Sequence, residues 1–248
     1  MAPLIIAHRG DSYVRPENTL VSFASALEAG AEILELDVQL TRDGHVVVLH
    51  DATLDRTTAG RGDVRQMTLQ EVRAVSAGYP ARFGAAYAGE RVPLLAEVLA
   101  LVRERARLMI EVKPESVTAD AEGGIEARTV AEVRRGRMEK DVALISFSRP
   151  ALLRCRQLAP EIARGHLFEH GAPGEMLAGA REAGCDIVMP EKRALSEELR
   201  DRAREAGTKV ATWVVDEPEE LRALARFELY GVGSNRPGLL LEASRGAD

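Results

Sequence analysis

Cysteine is nearly missing from this 248-residue chain, where Cys155 and Cys185 are the only two. Two cannot build a disulfide framework or a cysteine-rich zinc site, so both read as reduced packing residues. No apolar run approaches the roughly 18 residues that a membrane span needs. The opening MAPLIIAHRG has no basic leader and too short an apolar stretch for a secretory signal, so a folded, cytoplasmic protein is expected. Basic excess is lacking too. Lys and Arg number 33 against 39 Asp and Glu, a net charge of −6 that speaks against nucleic acid as partner. The chain also lacks a Gly-x-Gly-x-x-Gly turn, a Gly-x-Ser-x-Gly elbow and a His-x-His pair. Those absences count against a dinucleotide fold, a serine hydrolase and a histidine-rich metal hydrolase such as an amidohydrolase.

What is present is the profile of one soluble globular domain, 46% hydrophobic and 29% charged. Short runs rich in Val, Ile and Leu stand at 4–8, 33–40, 108–113, 142–148, 163–168, 186–190, 209–215 and 230–235. Stretches of helical period separate them, among them NTLVSFASALEAG, LLAEVLALVRERA, ALLRCRQLA, LSEELRDRAREAG and EPEELRALARF. Asn18 or Thr19 supplies an N-cap, and Gly30, Gly184 and Gly207 end helices. Continuous apolar runs imply strands covered on both faces, as in a parallel sheet. Eight strand–helix units in this length predict an α/β fold, a (β/α)8 TIM barrel, over a doubly wound sheet. Residues 51–92 break the rhythm after the second strand region and are too long for a plain loop. They are expected to form a small inserted subdomain within a single domain spanning 1–248.

Chemistry gathers on a few strands. In ILELDVQL, alternate residues share a face, so Ile33, Glu35 and Asp37 point one way and Leu34, Leu36 and Val38 the other. With the apolar set against helices, both acids point into the barrel near the C-terminal end, where barrel active sites lie. LMIEVK repeats the pattern with Met109, Glu111 and Lys113. Glu35, Asp37 and Glu111 would make an all-oxygen site for one hard divalent cation, Ca²⁺ or Mg²⁺. A buried ion-pair network with Arg9 or Lys113 accounts for the same spacing. His8 and His50 stand at strand ends beside the acids, placed for general acid and base chemistry. His45 follows an Asp43-Gly44 turn and reads as solvated, while His166 and His170 read as structural. Arg9 and Lys113 add positive charge suited to a phosphoryl centre.

These residues, in order, resemble the glycerophosphodiester phosphodiesterase family, within the wider group of phospholipase-C-like barrel phosphodiesterases. The matching stretches are HRG (8–10), PENT (16–19), ELDVQLTRDG (35–44), VVLHD (47–51), LDRTTAGRG (54–62), IEVK (110–113), SFS (146–148) and TWVVD (212–216). The resemblance implies that Glu35, Asp37 and Glu111 hold the metal and that His8 and His50 are the catalytic pair. It implies phosphate contacts for Arg9 and Lys113 with Asn18 beside them, a place for Trp213 near the substrate, and orienting roles for Glu17 and Asp51. It also implies hydrolysis of a small glycerophosphodiester to glycerol 3-phosphate and an alcohol. Family members commonly end the last strand in a Thr-Asp pattern, whereas GVGSNRP (231–237) has Ser234 and Asn235. That departure is expected to bear on the substrate rather than on the reaction. Two rivals stand beside this reading, a phospholipase-D-like hydrolase of lysophospholipid headgroups and a catalytically silent barrel that only binds. The residues leave open which histidine is acid and which base, Ca²⁺ against Mg²⁺, the alcohol, the oligomeric state, and water against the glycerol 2-hydroxyl as nucleophile.

Overall fold

The computed structural model describes residues 2–245, and in it eight parallel strands close into a barrel. They are β1 (Leu4–His8), β2 (Ile33–Leu40), β4 (Arg107–Val112), β5 (Val142–Ser146), β6 (Ala163–Phe168), β7 (Ile187–Pro190), β8 (Lys209–Thr212) and β9 (Gly231–Ser234); β3 (Val46–Val48) is antiparallel and lies outside the ring. Closure comes from β1, which pairs with both β2 and β9. The helices are α1 (Leu20–Glu28), α2 (Leu69–Arg73), α3 (Pro80–Phe83), α4 (Leu95–Val102), α5 (Ile125–Gly136), α6 (Arg149–Leu158), α7 (Pro173–Ala183), α8 (Glu197–Glu205), α9 (Pro218–Leu224) and α10 (Pro237–Arg245). Among the described residues no helix is long and apolar enough to cross a membrane.

Strand parity sorts the core into two layers. Leu34, Leu36 and Val38 pack outward with Phe23 of α1 and Leu95 and Val98 of α4. Ile6, Ile33, Met109, Ile145, Leu167 and Met189 fill the barrel interior. Both layers are buried, which is why the strands read as unbroken apolar runs. Cys155 and Cys185 are free thiols among this packing, and burial pushes each up to about 12, so neither is a reactive thiolate at neutral pH.

Two strands stop at least two residues earlier than the apolar pattern predicts. The run 142–148 ends as a strand at Ser146, because Ser148 turns to cap α6, its hydroxyl accepting from the Ala151 amide. The run 209–215 leaves the ladder after Thr212, while Val215 stays fully buried among the outer core residues.

The stretch after β2 is built differently from the other connections. β2 extends beyond the ring to Leu40, and an Asp43-Gly44 turn, with Gly44 at φ 82°, sends β3 back along it. The chain then makes a short excursion through α2 and α3. Leu49, Leu54, Val64, Val72, Ala77 and Val92 bury one another there, with Val47 of β3.

Candidate active site

Every acid singled out in the sequence reaches the C-terminal mouth of the barrel. Register sets the arrangement: His8 pairs with Glu35, and Asp37 with Glu111, so the three acids stand on adjacent strands at neighbouring levels. Each can offer an oxygen within 4.8 Å of the others, and all three are buried. His50 arrives by the β3 return. The Leu49 amide donates to the Asp37 carbonyl at 3.0 Å, and the Gln39 side chain donates to the His50 carbonyl at 3.0 Å.

The turn after β1 fixes Arg9 over the acids. Arg9 and Gly10 both take left-handed backbone angles, φ 58° and 83°. A Cβ on Gly10 would come within 2.7 Å of the Ser22 carbonyl carbon, so only glycine lets this turn lie against α1. The Arg9 amide donates to a Glu35 side-chain oxygen at 3.1 Å. Its guanidinium donates to Glu17 at 2.9 Å and stands 3.2 Å from Asp37. Lys113 is 2.9 Å from Glu111 and 3.5 Å from Asp37.

Both sequence explanations of the acids therefore describe part of the site. Arg9 and Lys113 do form ion pairs, but two cations face three inward carboxylates, and Arg9 also serves Glu17. Burial, and then the charge of Asp37, raises Glu35 well above the ordinary carboxylate value and Glu111 to about 7. Burial pushes Asp37 upward as well, yet Arg9, Lys113, His50 and Asn18 outweigh it and hold it far below that value. Asp37 Oδ1 and Glu111 Oε1 are buried with the Lys113 ammonium beside them, at 3.5 and 2.9 Å. Three buried carboxylates against two cations, with oxygens this closely spaced, fit a hard, oxygen-seeking divalent ion.

The histidines differ in their partners. His8 Nδ1 is 2.7 Å from the side-chain oxygen of Asn235, and its Nε2 is 4.0 Å from Glu35. Burial, then Arg9, lowers its pKa to about 4. His50 Nδ1 is 2.6 Å from the carboxylate of Asp51. Burial would raise Asp51, but Arg56 and His50 bring it down to about 2.

A cavity of about 700 Å³ opens over these groups, lined by His8, Arg9, Glu35, His50, Glu111 and Lys113 on one side. Phe147, Phe168 and Trp213 form the other wall; the Trp213 indole meets Phe147 edge-on at 5.7 Å and donates to the Met189 carbonyl at 3.1 Å. Trp213 thus caps the interior apolar cluster and borders the cavity at once. Asn18 does not line it. Its amide donates to Asp37 at 2.8 Å. His45 is exposed, as its turn predicts. His166 and His170 border the far side of the cavity, where His166 is buried against Phe168.

The contacts of three residues were not foreseen from the sequence. Asn235 lies on His8, so the Ser-Asn departure stands beside one of the two histidines at the mouth. Asp216 accepts from the Asn235 backbone and side chain at 2.7 and 2.9 Å. Arg56 pairs with Asp51 and Glu17. Asp216 and Arg56 stand inside matched stretches, TWVVD and LDRTT, but polar residues in loops carry no periodicity to say what they face.

A model of the glycerophosphoryl diester phosphodiesterase family matches residues 8–239. The glycerophosphodiester phosphodiesterase of Caldanaerobacter subterraneus subsp. tengcongensis is 36% identical over 246 residues, 99% of each chain. That of Bacillus subtilis is 31% identical, across 98% of this chain and 87% of its own. Among solved structures, an Oleispira antarctica phosphodiesterase in complex with the product sn-glycerol-3-phosphate is similar with a TM-score of 0.90 and 29% identity. The match covers 98% of this chain and 97% of that one.

Proposed function

The chain belongs to the glycerophosphoryl diester phosphodiesterase family, and from that premise we propose that it hydrolyses small glycerophosphodiesters to glycerol 3-phosphate and an alcohol, with His8 as general base and His50 as general acid. The observation that carries the reading is the convergence of Glu35, Asp37 and Glu111 beneath the two imidazoles and two cations.

Glu35, Asp37 and Glu111 would hold one divalent cation, Ca²⁺ or Mg²⁺, which when bound supplies charge neutralisation to the phosphate. Arg9 and Lys113 share that task, since both border the cavity. Asn18 keeps Asp37 aimed into the cluster. Trp213 and Phe147 form an apolar wall against the organic part of the substrate.

The histidine roles follow from what each Nδ1 meets. Asn235 must present its oxygen to His8, because its nitrogen donates to Asp216. His8 is therefore protonated on Nδ1 and leaves Nε2 bare, a neutral base at pH 7. His50 borders the cavity with its Nδ1 on the Asp51 carboxylate, an arrangement that suits it to protonate the departing alkoxide. The inserted segment, as a small subdomain beside the mouth, supplies Asp51 and Arg56 to that side.

Incubation with glycerophosphocholine tests the reaction. Glycerol 3-phosphate and choline are the expected products; phosphocholine and glycerol, or no turnover with either Ca²⁺ or Mg²⁺, would overturn it.

A further inference from the structure

The segment that follows His50 sends one side chain back beside the site. Arg56 donates to Asp51 through Nε at 2.7 Å and Nη2 at 3.0 Å. It donates to Glu17 through Nη1 at 2.8 Å and Nη2 at 2.9 Å. Holding two carboxylates bidentately at once needs the planar fork of a guanidinium; an ammonium cannot do it. Each acid has a second duty. Asp51 meets His50 Nδ1 at 2.6 Å, and Glu17 accepts from Arg9 Nη1 at 2.9 Å. An unbroken chain, His50–Asp51–Arg56–Glu17–Arg9, thus runs from the imidazole to the cation over the acids, with Arg56 as its middle link. Among the described residues no other Lys or Arg pairs with Asp51, and Glu17 pairs only with Arg9 and Arg56.

The geometry points to Arg56 as a positioning residue that sets His50 and Arg9 in one fixed relation, which makes the inserted segment a working part of the catalytic apparatus. This rests on the roles given to His50 and Arg9 above. Arg56 is not in the cavity lining, so it acts through Asp51 and Glu17 and not on substrate. Without the guanidinium the two like-charged carboxylates repel and lose their common anchor, freeing the imidazole and the Arg9 side chain to turn. Arg56 is 38% exposed, so a small cation from solution can reach its place.

The test compares Arg56→Ala and Arg56→Lys with the wild type in steady-state hydrolysis of glycerophosphocholine. Arg56→Ala should lower kcat by about 10–100-fold, the usual range for a lost orienting partner, with KM changed far less. Guanidinium chloride below denaturing concentration should restore part of that loss, whereas ammonium chloride should not. Arg56→Lys, which keeps the stem and the charge, should remain well below wild type. Adding Asp51→Asn to Arg56→Ala should cost little more than either change alone. A downfield proton resonance from His50 Nδ1–H, identified by its loss in His50→Ala, should disappear in Arg56→Ala whatever the activity. Wild-type kcat in the alanine variant overturns the assignment. So does a loss that ignores guanidinium, adds fully to Asp51→Asn and leaves the His50 resonance unmoved. A wild-type protein that fails to hydrolyse the diester defeats the functional reading instead, and the resonance still decides the role of Arg56.

Discussion

His8 Nδ1 lies 2.7 Å from the side-chain oxygen of Asn235, and the nitrogen of that same amide is committed to Asp216 at 2.9 Å. An amide fixed at both ends leaves the imidazole one tautomer. Asn235→Ala removes that constraint while sparing the cavity wall, so kcat should fall about ten- to a hundredfold with little change in KM. Steady-state kinetics check this; a raised KM at unchanged kcat would place Asn235 in substrate binding instead.

The two imidazoles should be separable by leaving group. His50→Ala should reduce hydrolysis of glycerophosphocholine by about 10²–10⁴-fold. The deficit should shrink sharply with a p-nitrophenyl ester, whose phenolate leaves without a proton. His8→Ala should show the same deficit on both substrates. Equal deficits for the two variants on both esters would remove the acid–base assignment.

Ion binding should be steeply pH-dependent. Glu111 keeps its proton to about 7 in the folded protein against an ordinary value of 4.5, and Glu35 shifts in the same direction. Their folded forms hold protons more tightly than the unfolded chain, so without an ion the fold loses stability as pH rises through that window. A divalent ion would bind the deprotonated cluster and would reverse the loss. The gain in Tm on adding Ca²⁺ or Mg²⁺ should be larger at about pH 8 than at about pH 5. Thermal melts with and without ion measure it, and a gain independent of pH would contradict the cluster.

Neighbours on one strand should respond in opposite ways. Glu35 faces the cavity and Leu36 the helices. Glu35→Gln should abolish ion-dependent turnover and leave Tm near that of the wild type. Leu36→Ala should cost about 2–5 kcal/mol of stability and leave turnover per folded molecule unchanged. Denaturation curves and activity on the same samples decide between faces.

That parity was legible because it is a property of the backbone: a period of two on a strand covered by helices sends Glu35, Asp37 and Glu111 inward whatever surrounds them. The barrel followed from the same runs. His50 was legible as a residue beside the acids at the end of an apolar run, but its route was not, since it reaches the mouth because β2 overruns the ring and β3 folds back. Asn18 was placed with the phosphate contacts, yet at φ 56° its side chain turns to Asp37. Asn235 meets His8 across 227 positions, Asp216 meets Asn235 across 19 and Arg56 meets Glu17 across 39, separations at which neither periodicity nor local propensity carries information.

The central claim is that three buried carboxylates form an ion site on which phosphodiester hydrolysis depends. The direct measurement is glycerophosphocholine turnover by protein stripped with a chelator, then titrated with Ca²⁺ or Mg²⁺. Activity lost on stripping and recovered with one equivalent of bound ion in the wild type, but not in Glu111→Gln, is the predicted result. Full turnover by the stripped protein would contradict it.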